Sequence, residues 1–225
     1  MGAETAKLKV IITGATGMVG EGVLLECLEH PAIERVLMVN RRSYPLQHPK
    51  LQELLIPDFM NLEAFRSQLA GYDACFFCAG ISSRGMSELA YYRITYEVTI
   101  HFAQELARLN SEMVFVYVSG ALTDSSEKGR VMWARVKGKT ENALQRLGFR
   151  NVYSFRPGFM KPTPGQRNIQ WYYGAIGWLY PILHLLLPNQ VSTMREVGLA
   201  MIHSVVTGYP KSILEIKDIN ALAKA

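Results

Sequence analysis

Thr13-Gly14-Ala15-Thr16-Gly17-Met18-Val19-Gly20 sets three glycines at G-x-x-G-x-x-G spacing. Glycines so placed suit a phosphate site. Gly14 permits a tight turn, and Gly17 lets backbone approach a pyrophosphate with no Cβ in the way. Gly20 lets a helix pack closely on a strand. Backbone N–H groups at the helix start, around Thr16, Met18 and Val19, then face the phosphates. A second cluster follows at Asn40-Arg41-Arg42. A site built for NAD carries Asp or Glu near this point, to accept from a ribose 2′-hydroxyl. Here no carboxylate stands to repel a 2′-phosphate, and two guanidiniums can bind one bidentately. The pattern predicts a dinucleotide site that prefers NADP(H) to NAD(H). Asp58 is a candidate for the adenine edge. Cys78, Ala79 and Gly80 are candidates to face the dinucleotide from the end of another strand.

Alternating strands and helices must position these residues. Short apolar runs predict strands at 7–13, 35–39, 51–56, 74–79, 113–119 and 151–155. Helical spacing predicts helices at 18–29, 62–69, 88–109 and 131–147. Met113-Val-Phe-Val-Tyr-Val-Ser119 is almost wholly apolar, as parallel strands covered on both faces are. Repeated βα units of this kind predict an α/β fold, a Rossmann-like doubly wound parallel sheet. Pro157, Gly158, Pro162, Pro164 and Gly165 mark a loop. A helix near 193–207 and a strand at 212–216 follow it. The chain reads as one domain over 1–225, with 7–160 as the core and 161–225 as a small C-terminal cap.

Composition narrows the function classes. Among 225 residues, 24 Lys and Arg against 19 Asp and Glu leave a net charge of +5, and 49% of the chain is apolar. That apolar share excludes a disordered tail. No dense Lys/Arg run with interleaved aromatics argues for nucleic acid. Three cysteines make no disulfide framework. Cys75 and Cys78 have CxxC spacing but fall in a strand, where residues three apart face opposite ways. They read as core, and with no signal pattern at the start the default setting is a reducing cytoplasm. His101, His184 and His203 have no metal-ligand spacing. From Asn168 to Met194 there is no Asp, Glu, Lys or Arg, while Trp171, Tyr172, Tyr173, Trp178 and Tyr180 crowd together. Such a segment suits a substrate enclosure, a homodimer contact or peripheral membrane association rather than a span.

The glycine loop, Tyr117-Val118-Ser119, Val136-Lys137-Gly138-Lys139-Thr140-Glu141 and Phe155-Arg156-Pro157-Gly158, in this order, resemble the short-chain dehydrogenase/reductase superfamily. The likeness lies in its atypical branch, with the Tat-interacting-protein-like oxidoreductases. The resemblance covers about residues 7–160. It implies a nicotinamide lying near Ser119 and Lys137, with Lys137 on the ribose, Ser119 orienting an acceptor, and Pro157-Gly158 beside the nicotinamide end. The superfamily places a tyrosine four residues before the lysine, on the same helix face. This chain has Trp133 there, whose indole N–H donates a hydrogen bond but is no acid at neutral pH. Tyr91, Tyr92, Tyr96, Tyr117 and Tyr153 are candidate replacement proton sources. The resemblance thus implies an NADP(H)-dependent oxidoreductase acting on a small apolar or aromatic molecule. The alternative is an NADPH-binding regulatory or interaction protein with little catalysis.

Overall fold

The computed structural model describes residues 7–169, 180, 185–186 and 190–225. The aromatics Trp171, Tyr172, Tyr173 and Trp178, with His184, lie outside these residues, and so does most of the charge-free segment.

Seven strands form one sheet in the order β3-β2-β1-β4-β5-β6-β9, every neighbouring pair parallel. They are β1 (Leu8–Thr13), β2 (Ile33–Asn40), β3 (Leu51–Leu55), β4 (Ala74–Phe77), β5 (Val114–Val118), β6 (Asn151–Arg156) and β9 (Ile213–Glu215). Two short strands, β7 (Phe159–Lys161) and β8 (Val191–Thr193), pair parallel beside it. The helices are α1 (Met18–Glu29), α2 (Arg66–Leu69), α3 (Glu88–Tyr92), α4 (Val98–Leu109), α5 (Met132–Leu144), α6 (Met194–Val206) and α7 (Ile216–Leu222).

Alternation along each strand feeds two cores. Val10, Ile12, Val36, Met38, Phe76 and Val116 face one side with α1, α6 and α7. Ile11, Leu37, Val39, Cys75, Phe77 and Phe115 face the other, with α4 and α5. Cys75 belongs to the second core while Cys78 packs against the first, so the sheet separates the CxxC thiols. Burial pushes the pKa of all three cysteines up, Cys78 to about 12, which disfavours the thiolate a redox role needs.

Beyond the short β7, β8 and α7, which the sequence reading did not expect, two departures matter. The helix expected over 88–109 contains a π turn at Arg93–Glu97. No Pro or Gly announces it. The wider turn goes with a stacked pair, Tyr92 and Tyr96, whose centroids are 4.7 Å apart, with the Lys139 amine over both rings. The second departure concerns the region read as a cap, since 190–225 completes the core. β9 is the seventh strand of the sheet, and α6 packs along α1. Glycines permit that crossing: a Cβ on Gly198 would lie 2.7 Å from Glu26 Cγ, and one on Gly22 2.7 Å from Met194 Cε. A Thr193–Glu196 capping box starts α6. No described helix is long and apolar enough to cross a membrane.

Candidate functional site

The strand order reverses between β1 and β4, and ligands of such sheets bind outside the carboxyl ends of the strands at that point. A cleft of about 680 Å³ opens there. It is lined by Gly14, Thr16 and Gly17 after β1, by Val39, Asn40, Arg41 and Arg42 at the end of β2, by Pro57 and Phe59, and by Cys78, Ala79 and Gly80 after β4. Nine of the residues singled out from sequence therefore meet in one cavity. Pro57 and Phe59 were not among them. Only proximity in the fold marks those two.

Each glycine has a distinct physical task. Gly14 has φ +73°, and a Cβ there would lie 2.6 Å from the Ala79 nitrogen. A Cβ on Gly20 would meet Gly14 O at 2.2 Å, so Gly20 seats α1 against the loop. A Cβ on Gly17 would meet only Gly14 O, at 3.4 Å. The loop itself tolerates a side chain there; a ligand against the exposed backbone would not. Gly17 also caps α1 with no side-chain hydrogen bond, whereas Ser87 caps α3 through its hydroxyl. Met18 and Val19 turn their side chains onto the core, and only their backbone is available at the helix start.

Asn40 tests whether these residues fit a dinucleotide. It is 3% exposed, lines the cleft, and both polar atoms of its amide lack a hydrogen-bond partner. A buried amide left unpaired costs about 1–3 kcal/mol. A ribose hydroxyl, both donor and acceptor, would satisfy either atom. Arg41 and Arg42 are exposed beside it, and among the described residues no carboxylate pairs with them. The residues present fit the group. Asp58 does not join them. Its carboxylate accepts from Met60 N at 2.9 Å and from Asn61 Nδ2 at 2.7 Å, closing its own turn.

The second constellation sits at the ends of β5 and β6. Lys137 donates from Nζ to the Ser119 carbonyl. Burial, only partly countered by Glu141, lowers its pKa to about 8. The Ser119 hydroxyl points inward, contrary to the role of orienting an acceptor. It donates to Glu141 Oε1 at 2.5 Å and lies 3.1 Å from the Phe155 carbonyl. The cause is a buried ion pair that sequence reading missed. Arg156 donates from Nε to Glu141 Oε1 at 3.0 Å and from Nη2 to Glu141 Oε2. Arg156 also reaches Glu215 at 3.1 Å and Ser125 Oγ at 2.5 Å. The carboxylate thus draws in both the guanidinium and the nearest hydroxyl, leaving Ser119 its carbonyl as the anchor for Lys137. Pro157 accepts from Ala121 N at 3.0 Å, and a Cβ on Gly158 would meet Gln190 O at 2.7 Å. Both join the β6 end to its neighbours rather than lining the described cleft.

The candidate proton sources divide. Tyr91, Tyr117 and Tyr153 are buried, and Tyr153 is tied to the Tyr209 backbone at 3.0 Å. Tyr92 and Tyr96 stack on each other beneath Lys139. Trp133 stands one turn before Lys137, half-buried.

Comparisons with known proteins agree with this geometry. The family described as "NAD dependent epimerase/dehydratase family" matches residues 10–129, more than half of the chain. Protein HTATIP2 of Rattus norvegicus is 25% identical over 199 residues, covering 81% of each chain. Protein fmp52-1, mitochondrial, of Aspergillus terreus is 30% identical over 165 residues, covering 68% of this chain and 67% of its own. Among solved structures, Bordetella bronchiseptica WbmF in complex with NAD+ aligns with a TM-score of 0.66 at 15% identity, over 99% of this chain and 78% of that one. The Helicobacter pylori ADP-L-glycero-D-manno-heptose-6-epimerase aligns with 0.66 at 16%, over 100% and 82%. The two structural likenesses carry the Rossmann fold alone, while the sequence relatives bear out the resemblance to the atypical short-chain branch. By its matched residues and its relatives, the chain belongs to the NAD dependent epimerase/dehydratase family.

Proposed function

We propose that the protein is an NADP(H)-binding oxidoreductase of the atypical short-chain class, passing hydride to a small apolar or aromatic acceptor. The observation that carries the cofactor reading is the unpartnered Asn40 amide buried beside two exposed arginines in the cleft. A carboxylate at that place would repel a 2′-phosphate, and an amide does not. When bound, NADPH supplies the hydride. Gly14 and Gly17 let the backbone approach the pyrophosphate, and Arg41 and Arg42 hold the 2′-phosphate. Asn40 pairs with the ribose that carries it, and Cys78, Ala79 and Gly80 form the facing wall. Lys137, fixed by the Ser119 carbonyl, holds the ribose at the nicotinamide end.

Trp133 favours a second reading, in which the protein binds NADPH and regulates or recruits without turning it over. Mixing the protein and NADPH with a naphthoquinone, flavin mononucleotide and benzaldehyde in turn separates the two. Oxidation above the protein-free rate supports the reductase. Tight binding with no oxidation by any of them refutes it in favour of the second reading. Trp133→Tyr sharpens the result: if the variant reduces no carbonyl, the missing phenol is not the sole limitation. The three free cysteines go with the reducing cytoplasmic setting. Fractionation tests this against the mitochondrial naming of the fungal relatives.

A further inference from the structure

The loop between β5 and α5 sets an exposed leucine beside a buried threonine. Thr123 is 6% exposed, whereas its neighbour Leu122 is 85% exposed and Val131, at the far end, 52%. Thr123 and Asp124 spend their polar groups on bonds within the loop, while Ser125, Ser126, Lys128 and Arg130 face water. Thr123 Oγ1 donates to Gly120 O at 2.7 Å, and Asp124 accepts from Ser126 Oγ at 2.6 Å and from Gly129 N at 2.6 Å. Leu122 also has φ +66°, the left-handed region that leucine avoids because its Cβ crowds the following carbonyl. Residues held there cluster at binding and active sites, where the surroundings over-determine them.

The surroundings here do so. Ala121 N donates to Pro157 O at 3.0 Å, and Asp124 N to Ala134 O at 3.1 Å. Asn142 Nδ2 donates to Ser125 O at 3.0 Å, and Arg135 Nη1 to Gly129 O at 2.6 Å. A Cβ on Gly138 would fall 1.8 Å from Asp124 O, so α5 is pressed against the loop. A hydrogen-bonded frame therefore holds the Leu122 side chain out in water. Its place is the carboxyl edge of the sheet, three residues after Ser119, whose carbonyl anchors Lys137.

We propose that Leu122 is a specificity-determining residue: it forms the apolar wall against which the acceptor is held at the nicotinamide end, and selects an apolar ring over a polar chain. This rests on the oxidoreductase reading above. On binding, the acceptor removes the exposed leucine surface from water, which rewards an otherwise unfavourable backbone.

The test uses the full chain loaded with NADPH and two variants. Leu122→Gly relieves the backbone and deletes the side chain; Leu122→Asn keeps a side chain that tolerates the same φ but is polar. NADPH affinity and melting temperature are measured first, then binding of 1-anilinonaphthalene-8-sulfonate as an apolar probe, and KM for a naphthoquinone against glyceraldehyde. The expected result is an equal or higher melting temperature for Leu122→Gly with unchanged NADPH affinity. Probe affinity and the naphthoquinone KM should each worsen by about tenfold or more in both variants, the scale of one lost leucine burial, while the glyceraldehyde KM stays the same. Probe binding by the variants equal to that of the parent overturns the proposal, as does a parent that binds neither probe nor quinone. A parent that fails to bind NADPH overturns the oxidoreductase reading itself, so the two failures are distinguishable.

Discussion

Gly17 and Gly20 stand three residues apart, yet the structure gives an alanine at each a different consequence. At Gly20 the new Cβ would lie 2.2 Å from Gly14 O and 2.9 Å from Ala15 N, both backbone atoms of the turn. Neither can yield without lifting α1 from the loop, so Gly20→Ala loses both stability and cofactor binding. At Gly17 the Cβ meets Gly14 O at 3.4 Å, and the backbone, at φ −108° and ψ 165°, suits any residue. Alanine caps a helix less well than glycine, by about 1 kcal/mol. For a chain of this size that lowers Tm by about 2–4 °C. The methyl group would stand where the pyrophosphate approaches, and moving the phosphate out weakens NADPH by at least about tenfold, or ~1.4 kcal/mol. Thermal melts followed by NADPH titration of both variants check this. A Gly17→Ala protein that binds NADPH as well as the parent would refute the placement of the pyrophosphate.

Further outcomes follow from the second constellation. Glu141→Ala strips Arg156 of its buried partner and should cost about 3 kcal/mol; denaturant titration measures it, and a loss under about 1 kcal/mol contradicts the pair. In a double-mutant cycle with Arg156→Leu the two losses should be far from additive. Lys137 titrates at about 8 in the folded chain against 10.5 unfolded, so between those values the unfolded state binds more protons. Stability therefore gains from this group as pH rises from about 8 to 10.5, and its buried charge costs most below 8. NADPH affinity should fall as pH passes about 8, and Lys137→Met should abolish that step; a step that survives in the variant excludes Lys137 as its source.

The glycine loop and the strands were legible because their signals are local. An apolar run, a glycine and a following helical period sit within a few residues, and the topology rule then places the cleft. Ser119 was not legible in the same way. Its hydroxyl is claimed by Glu141, 22 residues along the chain, which in turn holds Arg156. A motif position says nothing about which way a hydroxyl turns when a buried carboxylate competes for it. Asp58 misled for the opposite reason: its partners, Met60 and Asn61, are so close that a local turn satisfies it. The last strand looked like part of a cap because Ile213–Glu215 is short. Its place in the sheet depends on pairing with β6, which composition does not reveal. The π turn accompanies the stacking of Tyr92 on Tyr96 beneath Lys139 and has no Pro or Gly to mark it.

The most direct test of the account is a calorimetric titration of the protein with NADPH and with NADH at one salt concentration, repeated on Arg41→Ala/Arg42→Ala. The account predicts that the parent binds NADPH at least about tenfold more tightly than NADH, and that the double variant loses the preference while keeping its affinity for NADH. Equal affinities in the parent, or tighter binding of NADH, would contradict it.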